Sequence, residues 1–136
     1  MSMKKKLKTT LYKKSEELIN KYAPIIEAEL NLTGKLPEFI LMHDTDVLGY
    51  GRFLDDTVIS DRVLTIEIYY QLIYMDFKRA GFEREFISTL AHELKHVHQY
   101  YYMKGELTPS KNYFNSPVEN DANEYSEDFI NRILKR

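Results

Sequence analysis

His92-Glu93-Leu94-Lys95-His96, inside the segment 83–103, is the stretch on which the reading of this chain turns. Its pattern is His-Glu-x-x-His. A helix puts residues four apart on one face, so His92 and His96 can hold one metal ion with Glu93 beside it. Two imidazoles suit zinc, and a carboxylate one residue on can handle the proton of a water that zinc activates.

The flanking residues say which way such a helix would face. Phe86, Leu90, Leu94, Val97 and Tyr101 recur at threes and fours. At about 100° per residue the last four form one core-facing stripe, with His92 and His96 roughly opposite and Glu93 on its shoulder. That is a helix anchored on one side with its ligand face open to a cleft. The competing reading is an incidental pentad on a solvated face. His98 points away from the other two histidines and reads as packing or surface.

Catalytic zinc sites usually have three protein ligands and an open position. The chain has no cysteine, and no histidine follows His98, so a third ligand after the helix must be a carboxylate. Glu106, Glu119, Asp121, Glu124, Glu127 and Asp128 qualify by type. On the last predicted helix, 117–134, the apolar stripe is Val118, Ala122, Tyr125, Phe129 and Ile133. Glu119 and Asn123 share a shoulder next to it, whereas Glu124 and Glu127 point outward. Glu119 is therefore the favoured ligand, and Asn123, one turn on, a candidate to bond a ligand histidine from behind. Ser116-Pro117-Val118-Glu119 is equally a helix start, with Glu119 closing a capping box, and one carboxylate cannot do both. Glu124 with Asp128 is the rival pair.

Working outward, 7–32 carries Leu7, Leu11, Leu18, Tyr22, Ile25, Ile26 and Leu30 at helical spacing, with Pro24 as a kink or restart and Thr33-Gly34 as the stop. Extended runs follow at 38–43, 47–54 and 63–68. Gly49 and Gly51 in the second suggest a bulge or a close backbone approach. A helix over 69–79 ends toward Gly81, and 108–116 is loop. The expectation is one α+β domain over 1–136, with a small three- to four-stranded mixed sheet packed on an N-terminal helix, the pentad helix and a C-terminal helix that carries the third ligand.

At 136 residues, with 43% hydrophobic and 29% charged residues, the chain can bury an ordinary core and is neither disordered nor membrane-embedded in composition. A net charge of −2 gives no general attraction to nucleic acid or anionic lipid. Lysines crowd the first 21 residues and acids crowd 119–128, read as two solvated faces, with an electrostatic dock between the two ends as the alternative. The basic start lacks an apolar h-region, and no apolar run would span a bilayer, so the expected location is the cytoplasm.

His92-Glu-Leu-Lys-His96 followed by Glu119-Asn-Asp-Ala-Asn123 resembles the gluzincin metallopeptidases, whose signature is His-Glu-x-x-His plus a later helix bearing Glu and then Asp or Asn. The Glu-x-x-Ala-Asn string with Tyr125 is similar to the regulatory gluzincins of the ImmA/IrrE group. The overall build resembles the single-domain minigluzincins, and its strand-helix order resembles SprT-like proteases. The resemblance implies a zincin-like fold, one Zn2+ ion on His92, His96 and Glu119, and Glu93 as general base and acid of a zinc-dependent endopeptidase. Asn123 stands where many members have Asp. Tyr113 or Tyr125 is a candidate oxyanion stabiliser. The implied partner is a peptide or protein substrate lying extended along an edge strand, either 47–54 or 63–68. The alternatives are a latent zinc-bound binding or regulatory module of the same fold, a SprT-like protease on DNA-associated proteins, and a helical interaction protein in which the pentad is incidental.

Overall fold

Leu64–Ile68 is rich in β-branched residues and is joined through Tyr69 alone to the long helix that carries the pentad. The computed structural model describes residues 3–55, 64–103 and 116–134. Within them the order is α1 (Met3–Glu29), β1 (Glu38–Leu41), β2 (Gly51–Asp55), β3 (Leu64–Ile68), α2 (Tyr70–Tyr102) and α3 (Pro117–Ile133). The protein is α+β, with a three-stranded mixed sheet, as expected.

The sheet order is β1-β3-β2, with β1 parallel and β2 antiparallel to β3. β3 is therefore central. This corrects the option of 63–68 as a substrate-binding edge, because both sides of that strand are already paired. Ile66 and Ile68 are fully buried against the helices. Glu67, between them, faces the other side, where Arg52 lies directly opposite in register and Tyr69 donates a 3.0 Å hydrogen bond to its carboxylate. A slip of one residue would separate Arg52 from Glu67 and move the isoleucines out of the core, so side-chain chemistry fixes this register.

α1 is continuous through Pro24, which lies on its exposed face. It ends earlier than Thr33-Gly34. Asn31 takes the left-handed conformation (φ 55°), Leu32 N–H donates to Glu27 O, and Asn31 N–H donates to Ala28 O. This is a Schellman closure built on Asn rather than Gly, with Leu32 buried behind it. Leu18, Tyr22, Ile26 and Leu30 are buried as the spacing predicts, whereas Ile25 is exposed.

α2 contains the two predicted helical segments, but the break falls at Lys78 (φ 58°, ψ −170°) and not at Gly81. Lys78 occupies a backbone region that L-residues rarely adopt. Beyond the kink, Phe86, Leu90, Leu94 and Val97 are fully buried, while Tyr101, expected on the same stripe, is partly exposed. One apolar cluster joins α1, β3, α2 and α3. α2 is its axis, with α1 and α3 packed on it and β2 laid across the pentad.

Candidate metal centre

His92 and His96 lie on the face of α2 opposite Leu90, Leu94 and Val97, and their Nε2 atoms are 3.2 Å apart. α3 brings the third group. Ser116 is its N-cap, Pro117 its first residue, and Ser116 Oγ accepts the Glu119 N–H at 3.2 Å. The backbone of Glu119 thus serves the cap, and its carboxylate is turned to the imidazoles. Oε2 lies 3.1 Å from His92 Nε2, and Oε1 lies 2.8 Å from His96 Nε2. The competition between cap and ligand is resolved by dividing the residue.

These atoms have the chemistry and spacing of a metal site. Glu119 Oε1 is buried and makes no aligned hydrogen bond, although His96 Nε2 is close. A buried carboxylate oxygen left so is unfavourable unless something positive satisfies it. Four-coordinate zinc with bonds of about 2.0–2.1 Å sets neighbouring ligand atoms roughly 3.3 Å apart. Taking one ligand atom from each residue, the three atoms lie within 4.8 Å of one another, wider than that ideal and near enough to share one ion. His92, His96 and Glu119 are the group of metal-ligating side chains found among the described residues, and they accommodate one ion.

The same three groups set each other's charge. Burial disfavours the ionised Glu119, but the close His92 and His96 imidazoles outweigh it and hold the carboxyl well below its ordinary range. Burial likewise disfavours a charged His96, and Glu119, Glu93 and Gln99 together raise it above the usual imidazole value.

Glu93 is buried beside them, with Oε2 3.9 Å from His92 Nε2. Burial raises its carboxyl, against the opposing effects of the two histidines and the Phe53 N–H. β2 holds it in place. A Cβ on Gly51 would sit 2.7 Å from Thr89 Cγ2 and 2.9 Å from Glu93 Cγ, so only glycine lets the strand come this near. The close approach expected around Gly49 and Gly51 is therefore made at Gly51, against the pentad itself.

A cleft of about 220 Å³ opens over the centre. The chain from Leu48 to Gly51 forms one wall, α2 the floor through Glu85, His92 and Glu93, and α3 the other wall through Glu119 and Asn123.

Several expected roles are reassigned. Asn123 lies exposed at the cleft and its side chain bonds neither histidine. Gln99 does that work: its Oε1 is 2.8 Å from His96 Nδ1, and its Nε2 donates to Val118 O and Asp121 Oδ2, both at 2.9 Å. One buried amide thus orients a histidine and ties α2 to the first turn of α3. Its position three residues after His96, on the same face, was the available signal. Tyr125 is not an oxyanion group: its hydroxyl donates to Glu29 on α1 at 2.8 Å, away from the cleft. Tyr113 and Glu106 lie outside the described residues. Glu124 is exposed and Asp128 is paired with Arg132, so the rival pair is not at the centre. His98 packs by its Nδ1 against Leu30 O, 3.1 Å away.

The chain matches no protein-family model, no curated protein and no solved structure. No helix among the described residues is long and apolar enough to cross a membrane.

Proposed function

We propose that the protein is a zinc-dependent endopeptidase of the gluzincin type on a zincin-like fold. The observation that carries this is the meeting of His92, His96 and a buried, unsatisfied Glu119 oxygen, with a second buried carboxylate, Glu93, beside them under an open cleft. Spare buried carboxylates are costly to keep, and a hydrolytic metal centre has a use for both. A zinc ion held by His92, His96 and Glu119 would supply Lewis acidity, acidifying a water and polarising the peptide carbonyl.

The chain's own residues do the rest. Glu93 accepts a proton from the attacking water as the new C–O bond forms. It then hands that proton to the amide nitrogen as the C–N bond breaks. Its burial raises its carboxyl in the direction that suits both halves of this exchange. Gln99 keeps His96 in the tautomer that presents Nε2. β2 is an edge strand, and its outer side offers main-chain groups along which an extended substrate can pair on its way over the cleft.

The test combines metal analysis with cleavage of a mixed peptide library followed by mass spectrometry. Wild type is expected to bind one zinc and to cut. Glu93→Gln is expected to keep the zinc and to lose about 10²- to 10⁴-fold in rate. Undiminished cleavage by Glu93→Gln would remove Glu93 as the base. Zinc bound with no peptide cut would favour the latent module of the same fold.

A further inference from the structure

Among the described residues, Glu85 is the one carboxylate lining the cleft that peptide hydrolysis does not use. It lies seven residues before His92 on α2, two helical turns or about 10.5 Å away, and so on the same face. It is about half buried, with no hydrogen bond or ion pair to a described residue. Burial pushes its carboxyl up, and only the neighbouring Arg84 charge opposes this. Arg84 itself lines a separate depression with Ile130, Asn131 and Leu134.

The surroundings are negative. Tyr50, on the opposite wall, donates its hydroxyl to Asp76 at 2.7 Å, and its own ionisation is pushed up to about 12 by Asp76 first, then by burial and the charges of Asp76 and Glu85. The hydroxyl is thereby committed, and no lysine or arginine lines the cleft among the described residues. A half-buried carboxylate with no lysine or arginine beside it in the cleft, two helical turns from the proposed metal centre, is stabilised by a cation from the ligand.

We infer that Glu85 is a specificity residue that recognises an ammonium or guanidinium group of the substrate, so that the enzyme selects peptides with a basic residue near the cleaved bond. The position relative to a cleaved bond rests on the proposed peptidase activity, whereas the recognition of the cation does not. An extended peptide advances about 3.3 Å per residue, which puts the cation within about three residues of the scissile bond. Lysine, arginine and a free N-terminus share the required chemistry.

The binding test uses zinc-loaded Glu93→Gln protein and fluorescein-labelled, N-acetylated, alanine-rich decapeptides in which one lysine is walked along the sequence. Each is compared with glutamine at the same position by fluorescence anisotropy. At one position or more, lysine is expected to bind about five-fold more tightly than glutamine. Adding Glu85→Gln should bring that ratio to near one, and Glu85→Lys should make a glutamate peptide the better ligand. Because the readout is a ratio, general loss of fold in a variant affects both peptides alike. A gain seen only with an unacetylated, lysine-free peptide, and lost in Glu85→Gln, would identify the N-terminus as the source of the cation. Equal binding at every position, or a preference that survives Glu85→Gln, overturns the proposal. Cleavage by Glu93-intact protein without a basic preference sinks this inference and leaves the peptidase. Selective binding without any cleavage does the reverse.

Discussion

Gln99 shows how much a single amide can decide in this centre. It holds His96 by one end and the first turn of α3, through Val118 O and Asp121, by the other. It therefore couples the orientation of His96 to the position of the helix that supplies Glu119. Residues that orient metal ligands in this way typically contribute 10- to 100-fold in affinity. Gln99→Ala is expected to weaken zinc binding by about that factor while leaving the stoichiometry at one ion, measured by competition with a chelating dye. An unchanged affinity would mean that His96 is oriented by packing alone. Such a residue is hard to read in a sequence, because a glutamine three places after a histidine looks like any solvated helix amide. His92, Glu93 and His96 were legible because a strict spacing on a periodic helix carries the chemistry. Glu119 was legible only by elimination and by its shoulder position, since its capping pattern, Ser116 to Glu119, argued equally for a structural role. Tyr125 misled for a plain reason: the sequence gives no hint that Glu29, on a distant helix, would take its hydroxyl.

Between elements, the ends of α1 and α3 are tied by a small polar cluster. Glu29 accepts two hydrogen bonds from Arg132, both at 2.9 Å, and one from Tyr125 at 2.8 Å. Arg132 lowers the Glu29 carboxyl below its ordinary value of 4.5, against burial, with help from Tyr125. A depressed folded-state value means that the contribution is full above about 4.5 and is lost as pH falls through the depressed value. Arg132 is nearly half exposed, so the contribution is modest, at most about 1 kcal/mol. Glu29→Gln is expected to lower the urea midpoint at pH 7 and to approach the wild-type midpoint as the pH is taken below 4. A deficit that stays constant from pH 7 to pH 3 would show that shape, not charge, matters there. The elements themselves were readable in kind from periodicity, but their joints were not. The αL closure of α1 is at Asn31 and the break in α2 is at Lys78, whereas Gly34 and Gly81 carried the local signals. Nor could alternation rank the strands. Segments 47–54 and 63–68 look alike, and only the parallel pairing of β1 with β3 makes the first an edge and the second the centre.

For the molecule as a whole, the proposed metal centre would also be a structural joint. Its candidate ligands come from α2 and α3, and a stretch outside the described residues, 104–115, separates those helices in the chain. A metal bound by the folded arrangement and not by the unfolded chain stabilises by an amount set by its concentration relative to its dissociation constant. At free zinc 100-fold above that constant, the gain is about 2.7 kcal/mol. For a domain of this size each kcal/mol moves the melting temperature by roughly 3–5 °C, which makes the expected rise on the order of 10 °C. Calorimetry of wild type with buffered zinc and then with excess chelator reads this directly. His96→Ala and Glu119→Ala are each expected to melt at one temperature in both conditions, because a site of two ligands binds too weakly to register. Glu124→Ala should keep the wild-type difference, since that side chain is exposed on α3. If Glu119→Ala keeps the difference, the carboxylate is not a ligand and the α2–α3 joint is held by Gln99 and apolar packing alone. If wild type itself shows none, the His-Glu-x-x-His face binds no metal, and the endopeptidase reading falls with it.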